Sequence, residues 1–298
     1  MEYWDTHVHL DLTEGLLPQS VVAARIEWPI EKLEKYLKWY KRLPFIVHFI
    51  LWAYNLVAKD FHIRAFLYYY GSTAPISHAK KVMASAGITR GVCLGVPYGA
   101  ETSIERLAYL ERARKQGFIV AMPARFKKGD CIVKGYPSVK GTPGLAELVS
   151  QNTDILIVHC NPGGIGEYKE RLDPKLARDA LLENENIRIV YAHGGWGRKE
   201  WRDEIEFQML EFRFPDGSPR VFACCAFHDY AEPGYWTEFL DAVQRNPDCW
   251  LWGSDYPLSL FRDGAYKKRV LAYMKNLPKE IWMMIASFNP EALYGRWK

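Results

Sequence analysis

The strongest constraint on the fold is a rhythm of short apolar segments, most of them separated by stretches with helical periodicity. The segments are 3–10, 90–97, 118–123, 135–141, 154–160, 187–195, 221–227 and 249–257. Interiors such as Ile155-Leu156-Ile157-Val158 and Val221-Phe222-Ala223-Cys224 are apolar without alternation, the pattern of parallel strands buried on both faces. Helical patterns occupy 78–86, 103–116, 143–150, 172–182, 201–212 and 235–244, with further helical segments at 266–275 and 280–286. Gly87 and Gly117 close the first two, and Ser103 is placed to cap an acidic first turn. The gap before 135–141 is too short for a full helix. Eight strands in this arrangement predict an α/β fold, a (β/α)8 barrel spanning 1–298 as a single domain.

Residues 11–83 break the rhythm and predict a helical insertion after the first strand. Ile30, Leu33, Leu37 and Tyr40 lie on one side of a helix and Lys32, Lys35 and Lys38 on the other. After Pro44 the run 45–58 is apolar nearly all round, but it is shorter than the ~20 residues that span a bilayer, and it contains His48 and Asn55. A buried helix, a lid or a subunit contact in a homo-oligomer is expected; the alternative is contact with a membrane surface through 30–58. His48, His62 and His78 fall in this insertion and read as lid or packing residues.

Charge and cysteine usage narrow the field. The net charge of +4 is spread among interspersed acids and bases, which does not suit a nucleic-acid binder. Six cysteines, mostly in or beside the apolar runs and without a C-x-x-C pair, read as buried thiols rather than disulfides or a zinc-cysteine site. No basic stretch followed by an apolar one opens the sequence, so a cytoplasmic location is expected. Gly163-Gly164-Ile165-Gly166 follows a strand ending in a histidine and does not open a dinucleotide unit.

The chemistry concentrates at strand ends. His7 and His9 are two residues apart on an extended segment, so both imidazoles take one face. His159, His193 and Asp255 stand near the ends of the fifth, sixth and eighth strands. In a (β/α)8 barrel the C-terminal strand ends form the active face, so these five residues share a rim.

Asp5-Thr6-His7-Val8-His9, Val158-His159-Cys160, Tyr191-Ala192-His193-Gly194-Gly195, Trp252-Gly253-Ser254-Asp255-Tyr256-Pro257 and the terminal stretch 289–295 together resemble the amidohydrolase superfamily. Within it the chain is most similar to the amidohydrolase-2 branch of metal-dependent hydrolases, lactonases and nonoxidative decarboxylases. The insertion 11–83 is not covered by the resemblance. The resemblance implies that His7, His9 and His159 bind a divalent metal, with Asp255 as a further ligand and proton acceptor. His193 would orient water or a substrate oxygen. One zinc is expected, with manganese as the alternative metal. Lys140, near the end of the 135–141 segment, is where some superfamily members carry a carboxylated lysine bridging two metals; a substrate-facing or solvated role is the expectation here. Arg125 and His228, after the third and seventh strands, are candidates for substrate binding.

The function expected is hydrolysis of an ester, lactone or amide bond in a small organic molecule by a metal-activated water. The competing expectations are nonoxidative decarboxylation with the same residues, and an idle barrel acting as a binding or membrane-associated partner through its insertion.

Overall fold

The computed structural model describes residues 1–10, 28–43, 76–95, 103–124, 131–152, 154–161, 168–226, 234–256 and 266–297, with single positions at 19, 23 and 46. Eight strands form one sheet in chain order: β1 (Trp4–Val8), β2 (Arg90–Leu94), β3 (Ile119–Pro123), β4 (Val133–Gly135), β5 (Ile155–His159), β6 (Arg188–Ala192), β7 (Val221–Cys224) and β8 (Trp250–Leu251). Every neighbouring pair from β1 to β8 is parallel. The circle closes through a parallel bridge between Val8 and Tyr256, where the Thr6 N–H donates to Trp252 O (3.1 Å) and the His9 N–H to Tyr256 O (2.6 Å). The predicted (β/α)8 barrel is the fold observed.

Helices lie between most of the strands. Within the described residues, α1 (Ile30–Arg42) and α2 (Ile76–Ser85) separate β1 from β2, and α3 (Ser103–Lys115) leads to β3. Next come α4 (Leu145–Gln151), α5 (Arg178–Glu183), α6 (Lys199–Glu211), α7 (Tyr235–Arg245) and α8 (Tyr266–Asn276). The chain ends in α9 (Lys279–Met283), a π-helical turn over Met284–Phe288 and α10 (Asn289–Tyr294). In α1 the predicted apolar stripe is buried at Leu33 and Leu37, whereas Ile30 and Trp39 are exposed. Residues 44–75, apart from Ile46, lie outside the described residues, and no described helix is long and apolar enough to cross a membrane.

Strand alternation sorts the core into two layers. Val92, Leu94, Ile155, Ile157, Val190, Phe222 and Leu251 pack inside the barrel. Their neighbours Cys93, Leu156, Val158, Ile189, Tyr191, Ala223 and Trp250 face outward and meet helix residues such as Leu148, Ile205 and Phe239. This two-sided burial is why the strands read as unbroken apolar runs.

Two local expectations need correction. The fourth strand is Val133–Gly135 rather than 135–141; Pro137 has no N–H for a ladder, and the chain turns there. The helix expected over 172–182 begins as two 3-10 turns, Lys169–Leu172 and Pro174–Ala177, and becomes α-helical only at Arg178. Asp173-Pro174 breaks it, because Pro174 supplies no donor and disfavours helical backbone at Asp173.

Candidate metal centre

The site starts with a bulge in β1. Trp4 and Asp5 pair with Arg90 and Gly91, but the next partners are Val8 and Cys93, so β1 advances three residues while β2 advances two. The extra residue reverses the alternation partway along the strand. Trp4 belongs to the inner layer and Val8 to the outer one, which leaves His7 and His9 facing inward.

Asp255 reaches the same point from the end of β8. Its backbone has φ 56°, a left-handed conformation that is uncommon for a residue with a side chain. His7 Nε2 and His9 Nε2 are 3.1 Å apart, and they lie 3.3 and 3.4 Å from Asp255 Oδ1. All three residues are buried. Donor atoms about 2.0–2.2 Å from a tetrahedral cation would be about 3.3–3.6 Å from one another, so this triangle matches the edges of a coordination sphere. The protonation pattern agrees. His9 Nδ1 lies 3.2 Å from Leu94 O, which can only accept, so the proton sits on Nδ1 and Nε2 keeps its lone pair. Burial is the main cause that pushes His9 down to about 3 and His7 well below its ordinary range. Both imidazoles are therefore neutral, as a cation requires of its ligands.

A second histidine pair adjoins the first. The rings of His7 and His193 are 4.9 Å apart, and those of His193 and His159 are 4.7 Å apart. His193 Nδ1 faces Ala226 O at 2.8 Å, which fixes the proton on Nδ1 and leaves Nε2 as an acceptor 3.2 Å from His159 Nδ1. His159 then keeps a lone pair on Nε2, a buried atom with no hydrogen-bond partner among the described residues. His159 lies outside the group of three whose ligand atoms all fall within 4.8 Å of one another. Burial holds both histidines below their ordinary pKa. His193 also has a left-handed backbone (φ 69°), and Gly194 and Gly195 continue it at 52° and 68°. A Cβ on Gly195 would come within 3.0 Å of the α6 backbone, so the His-Gly-Gly turn needs that glycine.

Asp5 ties the two ligand-bearing strands together. Its carboxylate accepts from the backbone N–H groups of His7 (3.1 Å) and Ser254 (2.9 Å), from the Ser254 hydroxyl, and from the Tyr266 hydroxyl (2.7 Å). Burial raises its pKa to about 6, opposed by the hydrogen bonds from Ser254, Tyr266 and His7. The Ser254 hydroxyl oxygen in turn accepts from the Tyr256 N–H (2.9 Å), bracketing Asp255 on both sides. Asp5→Ala strands several buried donors and is expected to cost about 3 kcal/mol in stability. Urea unfolding checks this; an unchanged midpoint would show that the bracket holds without Asp5.

The remaining expectations divide by position. Lys140 is exposed in the turn after β4, so it does not reach the barrel interior. Arg125 and His228 lie outside the described residues, as do His48 and His62. His78, on α2, places Nδ1 3.2 Å from the Tyr256 hydroxyl. Sequence reasoning missed the roles of Asp5 and Gly253, and it missed Lys134, the buried lysine of β4. The only sequence signal for Lys134 is a lysine set directly after Ile132-Val133.

The barrel and its site define a class, and comparison with known proteins agrees. The amidohydrolase family model matches residues 77–296, and the chain belongs to that family, which comprises enzymes of hydrolase or lyase type. No curated protein sequence matches it. Among solved structures, an uncharacterised TIM-barrel protein from Bordetella bronchiseptica is 18% identical with a TM-score of 0.61, over 100% of this chain and 99% of the other. A probable 2-pyrone-4,6-dicarboxylic acid hydrolase from Acinetobacter baumannii, with citric acid bound, is 14% identical with a TM-score of 0.52, over 74% of this chain and 89% of the other. At these identities the likeness shows the shared barrel.

Proposed function

We propose that the protein is a metal-dependent hydrolase that opens an ester, lactone or amide bond of a small organic substrate. The observation that carries this reading is the buried triangle of His7 Nε2, His9 Nε2 and Asp255 Oδ1, three atoms of ligand type set 3.1–3.4 Å apart. Such a triangle is repulsive unless a cation or a shared proton sits within it. His7, His9 and Asp255 would hold one divalent metal, with His159 as a further ligand; two imidazoles and a carboxylate suit zinc, with manganese second. A divalent cation bound there supplies a Lewis acid that polarises a carbonyl and makes water acidic enough to attack at neutral pH.

The chain's own residues do the rest. Asp255 accepts the proton of the attacking water and returns it to the leaving group. His193, oriented by Ala226 O, accepts at Nε2 from His159 Nδ1; on release of that contact Nε2 would orient a water or substrate oxygen. The barrel wall excludes bulk solvent from these groups, which strengthens each contact. The same residue set also serves a second reading. Asp255, once it has taken a proton, could deliver it to carbon after loss of carbon dioxide, which would make the protein a nonoxidative decarboxylase.

One experiment tests both. The purified chain is expected to hold about one zinc or manganese, to lose turnover of a lactone, ester and amide panel after chelation, and to regain it with the metal. Incorporation of heavy oxygen from water into the product identifies hydrolysis, and carbon dioxide release from a carboxylic acid panel identifies the lyase. Full activity in metal-free protein would sink both readings.

A further inference from the structure

The metal triangle sits on the seam where the barrel closes, and among the described residues that seam has little ladder to hold it. β8 is only Trp250–Leu251 and ends before Asp255. Beyond it, β1 is joined to the far side by the Val8–Tyr256 bridge and by the Thr6 and His9 N–H groups, which donate to Trp252 O and Tyr256 O. Tyr256 is therefore tied to two ligands of the triangle at once. It follows Asp255 in the chain, and its carbonyl accepts from the His9 N–H at 2.6 Å. A shift of Tyr256 alters the spacing between His9 and Asp255. The left-handed backbone of Asp255 (φ 56°) adds to the demand, because such a conformation persists only where its surroundings fix it.

The side chain of Tyr256 leaves the seam on its outer side. It belongs to the outer layer, is fully buried, and meets the Tyr266 ring of α8 edge-on, with centroids 6.2 Å apart and planes at 72°. Its hydroxyl lies 3.2 Å from Nδ1 of His78, in the first turn of α2. α2 is anchored to the barrel through Ile76, Ala79 and Met83 and packs against α8. His78 itself is exposed and adds little to the core, so its hydrogen bond is the described contact through which it acts on the site.

We infer that His78 and Tyr256 are positioning residues of the metal centre: their hydrogen bond, made outside the barrel wall, holds His9 and Asp255 at ligand spacing inside it. The inference rests on the proposed function for the metal and on the seam for the coupling. Asp5 fixes Ser254 and the His7 N–H on one side of Asp255. The His78–Tyr256 bond fixes the other side, and with it the His9 backbone.

Zinc affinity of the full chain, measured against a competing chelator, tests this in Tyr256→Phe, His78→Ala and the double variant. Tyr256→Phe keeps the ring and its packing, and alanine is the better helix former at position 78, so neither change is expected to unfold the chain. Each single variant should weaken zinc by about ten-fold, the lower end of what loss of a group that orients a ligand costs. The double variant should be no weaker than either, because both remove one bond. His78→Asn, which sets an amide atom where Nδ1 stands, should stay within about two-fold of wild type. Unchanged affinity in both single variants, losses that multiply in the double, or a ten-fold loss in His78→Asn would overturn the inference. Amide hydrogen exchange on the metal-free chain separates the two claims. The Thr6 and His9 amides should exchange about ten-fold faster in Tyr256→Phe and His78→Ala while those of β5 and β6 keep their wild-type rates. A wild type that binds no zinc defeats the metal reading, and exchange at His9 that is unchanged, or faster only in step with the whole barrel, defeats the role of His78 and Tyr256.

Discussion

Asp255→Asn is expected to lower turnover by about 10³-fold or more and to reduce bound metal below wild type. The substitution keeps the size of the side chain but removes its charge, and it replaces an acceptor-only group with an amide that cannot take a proton. His7 Nε2 and His9 Nε2, each within 3.4 Å of Oδ1, would lose the anion that balances a cation between them. Steady-state kinetics and metal analysis on the same preparation check this. The assignment fails if Asp255→Asn retains wild-type turnover with a full complement of metal.

The second large effect is expected from a residue with no side chain. A Cβ at Gly253 would lie 2.6 Å from both His7 Cβ and Cys224 Sγ, closer than such atoms approach without movement. Neither neighbour can retreat easily, since His7 sits on the bulged part of β1 and Cys224 ends β7, both fully enclosed. Gly253→Ala should cost about 1–3 kcal/mol in stability through overpacking. Displacement of His7 should also weaken metal binding by about 10- to 100-fold, comparable to loss of a group that orients a ligand. Thermal unfolding and a competitive chelator titration measure the two effects. Wild-type values for both would mean that the barrel has slack at β8 that these distances do not suggest.

Much of this architecture was legible from residue order because it depends on local pattern. Continuous apolar runs identify strands covered on both faces, and their alternation with helical segments identifies a parallel barrel. Metal-site candidates were legible because strand ends are a predictable address in such a barrel, and His7, His9, His159, His193 and Asp255 occupy them. The fourth strand was misplaced for a physical reason. Its central residue is Lys134, and a search for apolar runs passes over a strand of three residues with a charge in the middle. The stretch 135–141, which contains Lys140, looks more extended in sequence, although Pro137 cannot serve a ladder.

His7 and His9 show where sequence stops. Their spacing determined that they share a face, but not which face. The bulge that turns them inward arises from pairing with β2, and nothing within β1 encodes it. The left-handed backbone of Asp255 is bracketed by Ser254, whose partner Asp5 is 249 residues away in the chain. Gly253 matters only because His7 and Cys224 crowd it from two other strands. The sequence by itself determined the strands, the barrel and the kinds of side chain at its rim, since these follow from periodicity and composition over a few residues. Only the tertiary structure decided that His7, His9 and Asp255 form one triangle, that His159 pairs with His193, and that Lys134 rather than Lys140 faces the interior. Those facts depend on register and closure, which are properties of strand pairs rather than of any one segment.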